Sequence, residues 1–345
     1  MPTAETVPLG PELNNADADD TVPCPKMTLD PTELDPIPGT AQPTGPEGEP
    51  PVPPSPVRQR LASLWSGASL ASLFVVLSFL LWWLFAWALA EQAWIENQLM
   101  WTVFSLFPAV LVTTILLLRT APAHSLAAIC LPGGRPALQD TSLGIALGVG
   151  IGLTVSGIQY AAGWVTLSPV AEVWPPSNDG SFVWTPSLGI GMAVLAMGSA
   201  GEELLFRGYG LQQLIRATNP WFAVLGTSAV FGIMHGGNPD ASLVGIVNTV
   251  LFGVLFGFAL VRHGSLWLPV GMHFGWNATL ATIGANVSGL RIRLAGFELV
   301  PNGPAIWSGA DYGPEASLLA SFAVAAAGFV LWKIPPLRQG PRLWD

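Results

Sequence analysis

Charge is what this sequence has least of. Only 10% of its 345 residues are Asp, Glu, Lys or Arg, against about 25% in a soluble domain. Mean hydropathy is +0.51, so an ordinary water-soluble fold is excluded. The formal net charge of −9 is local. Residues 1–57 hold ten of the 22 acids and one of the 13 bases, and the remaining 288 residues balance to zero. No basic patch points to a nucleic-acid partner. Cysteine is also nearly absent: Cys24 and Cys130 are too few for a disulfide framework or a thiolate metal cluster, which sets a redox or thiol-protease role aside.

Residues 1–57 contain no aromatic residue but 15 of the 32 prolines. Such a segment cannot bury enough apolar surface to offset chain entropy, so a disordered, acidic, Pro-rich tail is expected. It lacks the basic start and apolar core of a signal peptide. From Leu61 onward the composition changes. Eight apolar runs, at 63–90, 99–118, 141–167, 187–216, 221–236, 242–261, 266–287 and 315–334, have about the length that crosses a bilayer as helix. They are continuous rather than alternating, which selects helices over a barrel. The expected fold is all-α, a polytopic membrane bundle of about eight transmembrane helices.

Tryptophans mark the expected helix ends: Trp65, Trp101, Trp184, Trp221 and Trp267 near starts, Trp164 and Trp332 near finishes. Trp82, Trp83 and Trp87 read as lipid-facing or packing residues. Basic residues fall on one side. Arg58, Arg60, Arg119, Arg135, Arg216, Arg262, Lys333, Arg338 and Arg342 flank alternate loops, while the opposite loops carry Glu91, Glu96, Glu172, Asp179 and Asp240. Both termini are therefore expected in the cytoplasm, in a multi-pass protein of the cell membrane. Arg291 and Arg293 are exceptions, in a long loop expected to fold against the bundle. Gly144, Gly148 and Gly152, and Gly253 and Gly257, recur every four residues and predict close helix contacts.

Three polar fragments interrupt the apolar runs: Glu202-Glu203-Leu204-Leu205-Phe206-Arg207, Phe231-Gly232-Ile233-Met234-His235 and His273-Phe274-Gly275-Trp276-Asn277. Ionisable side chains at membrane depth are costly and read as functional by default. Glu203 and Arg207 are one helical turn apart and can pair. A purely structural ion pair explains those two and leaves Glu202, about 100° around the helix, without a role. His235, one turn after Phe231, alone reads as a packing histidine. His273 and Asn277 share a helix face, where Asn277 can orient His273 or hold a water. At about 1.5 Å per residue, Glu202, His235 and His273 all fall near mid-membrane.

Taken together, the fragments resemble the CAAX-protease and bacteriocin-processing (CPBP, or Abi) intramembrane proteases. That family's pattern is a pair of glutamates with an arginine four residues after the second, an aromatic residue four before a histidine, and a histidine four before an asparagine. Glu202, Glu203 and Arg207; Phe231 and His235; and His273 and Asn277 reproduce it in order. The resemblance covers roughly residues 140–335. It implies an endopeptidase in which Glu202 activates water, His235 holds that water or a metal, and His273 and Asn277 stabilise the oxyanion. Glu203, Arg207 and Phe231 would support the site. It also implies a metalloprotease, with Zn2+ on Glu202, His235 and His273. The soluble-metalloprotease His-Glu-x-x-His helix is absent, however, and a metal-free water activated by glutamate uses the same residues.

The expected organisation is a tail (1–57), N-terminal transmembrane helices and loop (58–140), a protease core (141–335) and a C-terminal tail (336–345). The partners are the bilayer and a membrane-associated protein or peptide. Two alternatives use the same residues. A proton-coupled transporter would also need intramembrane Glu, His and Arg, but with internal repeats that this chain lacks. A non-catalytic scaffold or immunity protein would tolerate loss of motif residues, and none is lost.

Overall fold

A computed structural model describes residues 55–90, 98–120, 126–170 and 184–335. The expected tails, and Glu91, Glu96, Glu172 and Asp179, lie outside these ranges apart from the few residues at 55–57. Each of the eight apolar runs supplies helix, and the all-α bundle is as expected. The helices are α1 (Pro56–Leu89), α2 (Gln98–Thr120), α3 (Gly134–Ala161), α4 (Trp184–Arg207), α5 (Tyr209–Ala217), α6 (Pro220–Met234), α7 (Leu243–His263), α8 (Trp267–Thr282), the single turn α9 (Ala305–Ser308) and α10 (Leu318–Lys333).

The boundaries have local causes. Asn219 caps α6 by accepting from Phe222 N, with Pro220 in the first turn where its missing N–H costs nothing. Ser242 and Ser317 cap α7 and α10 in the same way. Five segments are long and apolar enough to cross a bilayer: Val57–Leu89, Leu99–Thr120, Gly134–Ala161, Leu188–Ala217 and Leu243–His263. They define an integral membrane protein. The other three runs yield shorter helices. α6 has 15 residues, and α8 and α10 have 16 each, so each spans roughly 22–24 Å.

The fourth run is not one helix. It breaks between Arg207 and Tyr209, where a side chain on Gly208 would meet the Leu204 carbonyl at 2.2 Å. The third run ends at Ala161 instead of reaching 167. The chain then forms β1 (Val165–Pro169), antiparallel to β2 (Phe297–Pro301), with Val165 opposite Pro301 and Pro169 opposite Phe297. β2 belongs to the long loop after α8, which thus folds back onto the bundle as expected. Arg293 pairs there with Glu298.

Glycine sets the closest helix contact. Gly144 and Gly148 of α3 lie against the backbone of α8 at Leu268 and Met272, and Gly271 and Gly275 of α8 lie against Thr141 and Ile145 of α3. Each helix offers the other a surface without side chains, so the backbones touch. Gly253 and Gly257 of α7 meet Ser228 and Val224 of α6 in the same manner. α8 is consequently well enclosed, with Leu268, Met272, Trp276 and Leu280 buried. α1 is the outer one: Trp83 and Trp87 are exposed where lipid would lie, while Trp82 turns inward and donates to Ser105 Oγ at 2.9 Å.

Candidate active site

The three fragments converge. α4 carries Glu202, Glu203 and Arg207 one turn before its break. His235 follows the last turn of α6 and opens a short 3-10 turn (His235–Gly237). α8, held by its glycine contact with α3, presents His273 and Asn277.

Glu203 and Arg207 form the buried end of the site. Arg207 Nη1 donates to Glu203 Oε1 at 3.0 Å, with both side chains almost fully enclosed. The guanidinium sits 4.5 Å from the centre of the Phe231 ring, an attractive placement for a desolvated cation. Phe231 therefore supports Arg207, and its ring also lies edge-on to His235 at 4.5 Å. Glu203 Oε1 has a second partner, His273 Nδ1, at 3.0 Å. An ionised carboxylate can only accept, so Nδ1 carries the proton and Nε2 points the other way.

On that other side is Glu202. Its Oε2 lies 3.7 Å from His273 Nε2 and 3.9 Å from His235 Nε2. His235 Nδ1 donates to the Phe231 carbonyl at 2.8 Å, so its Nε2 is likewise turned inward. Glu202 is 32% exposed where Glu203 is fully buried. Of the two adjacent carboxylates, one is locked in packing and one opens on space. That space is a cavity of about 640 Å³ lined by Glu202, His235, His273 and Asn277. The Asn277 amide has no protein hydrogen bond among the described residues and faces this chamber.

Sequence reasoning missed three parts of the site. Glu203, not Asn277, orients His273. Phe256 of α7 stacks on the His273 ring at 5.2 Å and 19°, which no motif marks. Helices α1 and α2 wall the chamber with Phe79, Trp82, Leu99 and Thr102, although the resemblance begins only near residue 140.

The donors match zinc in chemistry: two imidazole Nε2 atoms and a carboxylate, with each Nδ1 held by an acceptor as zinc-bound histidines are. Their spacing does not match. Donors at about 2.0–2.1 Å in a tetrahedral shell stand roughly 3.3 Å apart, and both separations here are wider. Among the described residues no group of three His, Cys, Asp or Glu closes on an ion position. The distances are too long for direct hydrogen bonds and are short enough for one bridging water.

The fold and site define a membrane helical bundle enclosing a carboxylate–imidazole centre. Residues 184–279 match the family described as Type II CAAX prenyl endopeptidase Rce1-like, a span that contains all seven motif residues. The match bears out the resemblance read from the motifs. The chain is also 26% identical over 190 residues to YdiL of Bacillus subtilis (strain 168), described by its name as a candidate membrane peptidase; this covers 54% of the chain and 72% of YdiL. It is 25% identical over 159 residues to the uncharacterized protein YyaK of the same organism, covering 45% of the chain and 50% of YyaK. The chain thus spans only half the length of that relative. No solved structure matches it significantly.

Proposed function

We propose that this protein is an intramembrane endopeptidase that hydrolyses a peptide bond of a membrane-associated protein or peptide. The observation that carries this reading is the geometry around Glu202: one half-open carboxylate facing two imidazoles whose Nε2 atoms are turned towards it, at the wall of a chamber large enough for an extended peptide segment.

In this reading a water sits between Glu202, His235 and His273. Glu202 takes a proton from it, and the hydroxyl oxygen bonds to the scissile carbonyl carbon. Asn277 Nδ2, and His273 Nε2 when doubly protonated against Glu203, donate to the oxyanion. His235 Nε2 accepts from the water and keeps it aligned. The C–N bond then breaks as Glu202 returns the proton to the leaving amine. Donors aimed at developing charge in a water-poor site are worth several kcal/mol. No step requires zinc, and the donor spacing favours this metal-free form. The proposal places both termini in the cytoplasm and the protein in the cell membrane, with residues 141–335 as the catalytic core.

The test compares membranes of cells expressing wild type or Glu202→Gln by mass spectrometry, with both proteins also reconstituted in liposomes. Gln keeps the size and removes the base. A membrane peptide that accumulates uncleaved only in the variant supports the reading. Proton-driven uptake without any cleavage would replace it with the transporter.

A further inference from the structure

Glu315 is a buried carboxylate that the chemistry above leaves unused. It lies just before α10, and three donors converge on it. Trp276 Nε1 reaches Oε1 at 2.8 Å, while Ser288 N and Ser288 Oγ reach Oε2 at 2.5 and 2.7 Å. Trp276 is on α8 beside Asn277 and three residues after His273. Ser288 belongs to the loop that roofs the chamber. Its carbonyl accepts from Asn238 Nδ2 at 3.1 Å, and Asn238 N donates to the His235 carbonyl at 3.1 Å. An unbroken hydrogen-bonded chain therefore runs from the helix bearing His273 to the turn bearing His235, and Glu315 is its centre.

Two features show that the roof is held rather than resting. Ser288 has φ 49°, a left-handed conformation that a non-glycine residue keeps only when its surroundings impose it. Both its backbone N–H and its hydroxyl end on Glu315. The next residue, Gly289, lies so close to the His235 turn that a Cβ would stand 2.0 Å from the Pro239 carbonyl. Only a group that accepts on both oxygens satisfies donors from both sides. Gln at 315 would set its NH2 against either Trp276 or Ser288.

We propose that Glu315 is a positioning residue: it locks the Ser288–Asn238 roof to α8 and so fixes His235 at the separation from His273 that a shared water needs. The inference rests on the protease reading of the site.

The test measures hydrogen–deuterium exchange of the full-length wild type, Glu315→Gln and Ser288→Ala in detergent. Residues 235–241 and 286–290 are compared with α3 and α8. In parallel, a panel of lipid-anchored fluorogenic peptides is assayed in phosphatidylcholine vesicles. Glu315→Gln is expected to speed exchange in both segments about tenfold, leave α3 and α8 unchanged, and lower kcat at least tenfold with KM within about twofold. Ser288→Ala, which keeps the backbone bond, should move the same readouts less. Should Glu315→Gln fail to fold, Ser288→Ala and Asn238→Ala carry the comparison. Unchanged exchange in the two segments, faster exchange throughout the bundle, or a KM effect with kcat retained would each overturn the inference. If wild type cleaves nothing in the panel, the protease reading falls and takes the catalytic role of Glu315 with it. If wild type cleaves and Glu315→Gln matches it, only this inference falls.

Discussion

Arg207→Ala is the sharpest probe of how the bundle tolerates its charges. Arg207 is enclosed, bonded to Glu203 at 3.0 Å and seated over Phe231. Alanine removes the guanidinium bonded to Glu203 and leaves that carboxylate, itself without exposure, with His273 as its remaining side-chain partner among the described residues. Breaking one side of a buried pair typically costs about 3–5 kcal/mol, and the loss of packing around three aromatic rings acts in the same direction. A loss of that size corresponds to a fall in melting temperature on the order of 10 °C. The assay is thermal unfolding in detergent, followed by circular dichroism, with the exposed Arg216→Ala as a control expected within about 0.5 kcal/mol of wild type. Because Glu203 also fixes the His273 ring, protein that remains folded should lose turnover as well. A melting temperature equal to that of wild type would refute the reasoning, since it would mean that Glu203 is not held by this pair.

Three further outcomes are expected. Asn277→Ala should fold normally and lose about 10²–10³ in kcat, the usual effect of deleting one oxyanion donor, measured on any peptide that wild type cleaves. Gly148→Ala should lower the melting temperature, because its Cβ would lie 2.1 Å from the Met272 carbonyl and 2.7 Å from Trp276 N; both obstacles are backbone, so α3 and α8 must part, at a cost of about 1–3 kcal/mol or more. Prolonged treatment with a zinc chelator should leave cleavage intact, and activity lost to the chelator and restored by zinc would reverse the metal-free reading.

The fold was legible wherever the sequence wrote its signal locally. Apolar length marked the helices, and glycines spaced by four marked the tight α3–α8 and α6–α7 contacts. The errors occurred where a backbone event outweighed composition. One helix was expected from 187 to 216, yet it stops at Gly208. The third run continues past Ala161, yet the chain turns at Gly163 (φ 71°) into a strand whose partner, Phe297–Pro301, comes only after α8. Such long-range pairing leaves no periodic trace in either segment.

The site divides in the same way. Helical spacing was enough to pair Glu203 with Arg207, and depth was enough to bring Glu202 near His235 and His273. What spacing could not supply was the direction in which each imidazole turns. That is set by acceptors from elsewhere: the Phe231 carbonyl for His235 and the Glu203 carboxylate for His273. The paired glutamates thereby acquire distinct tasks. Their side chains diverge around α4, so only one can enter the cavity. The other, turned into the bundle, neutralises Arg207 and holds the proton on the far side of His273. Exchanging the two tasks would require rotating α4 by about 100°, which the packing of Phe206 and Arg207 against Phe231 opposes. The adjacency of two acids, which in sequence looks like redundancy, is what lets one helix turn supply both the carboxylate that faces the cavity and the support for the imidazole beside it.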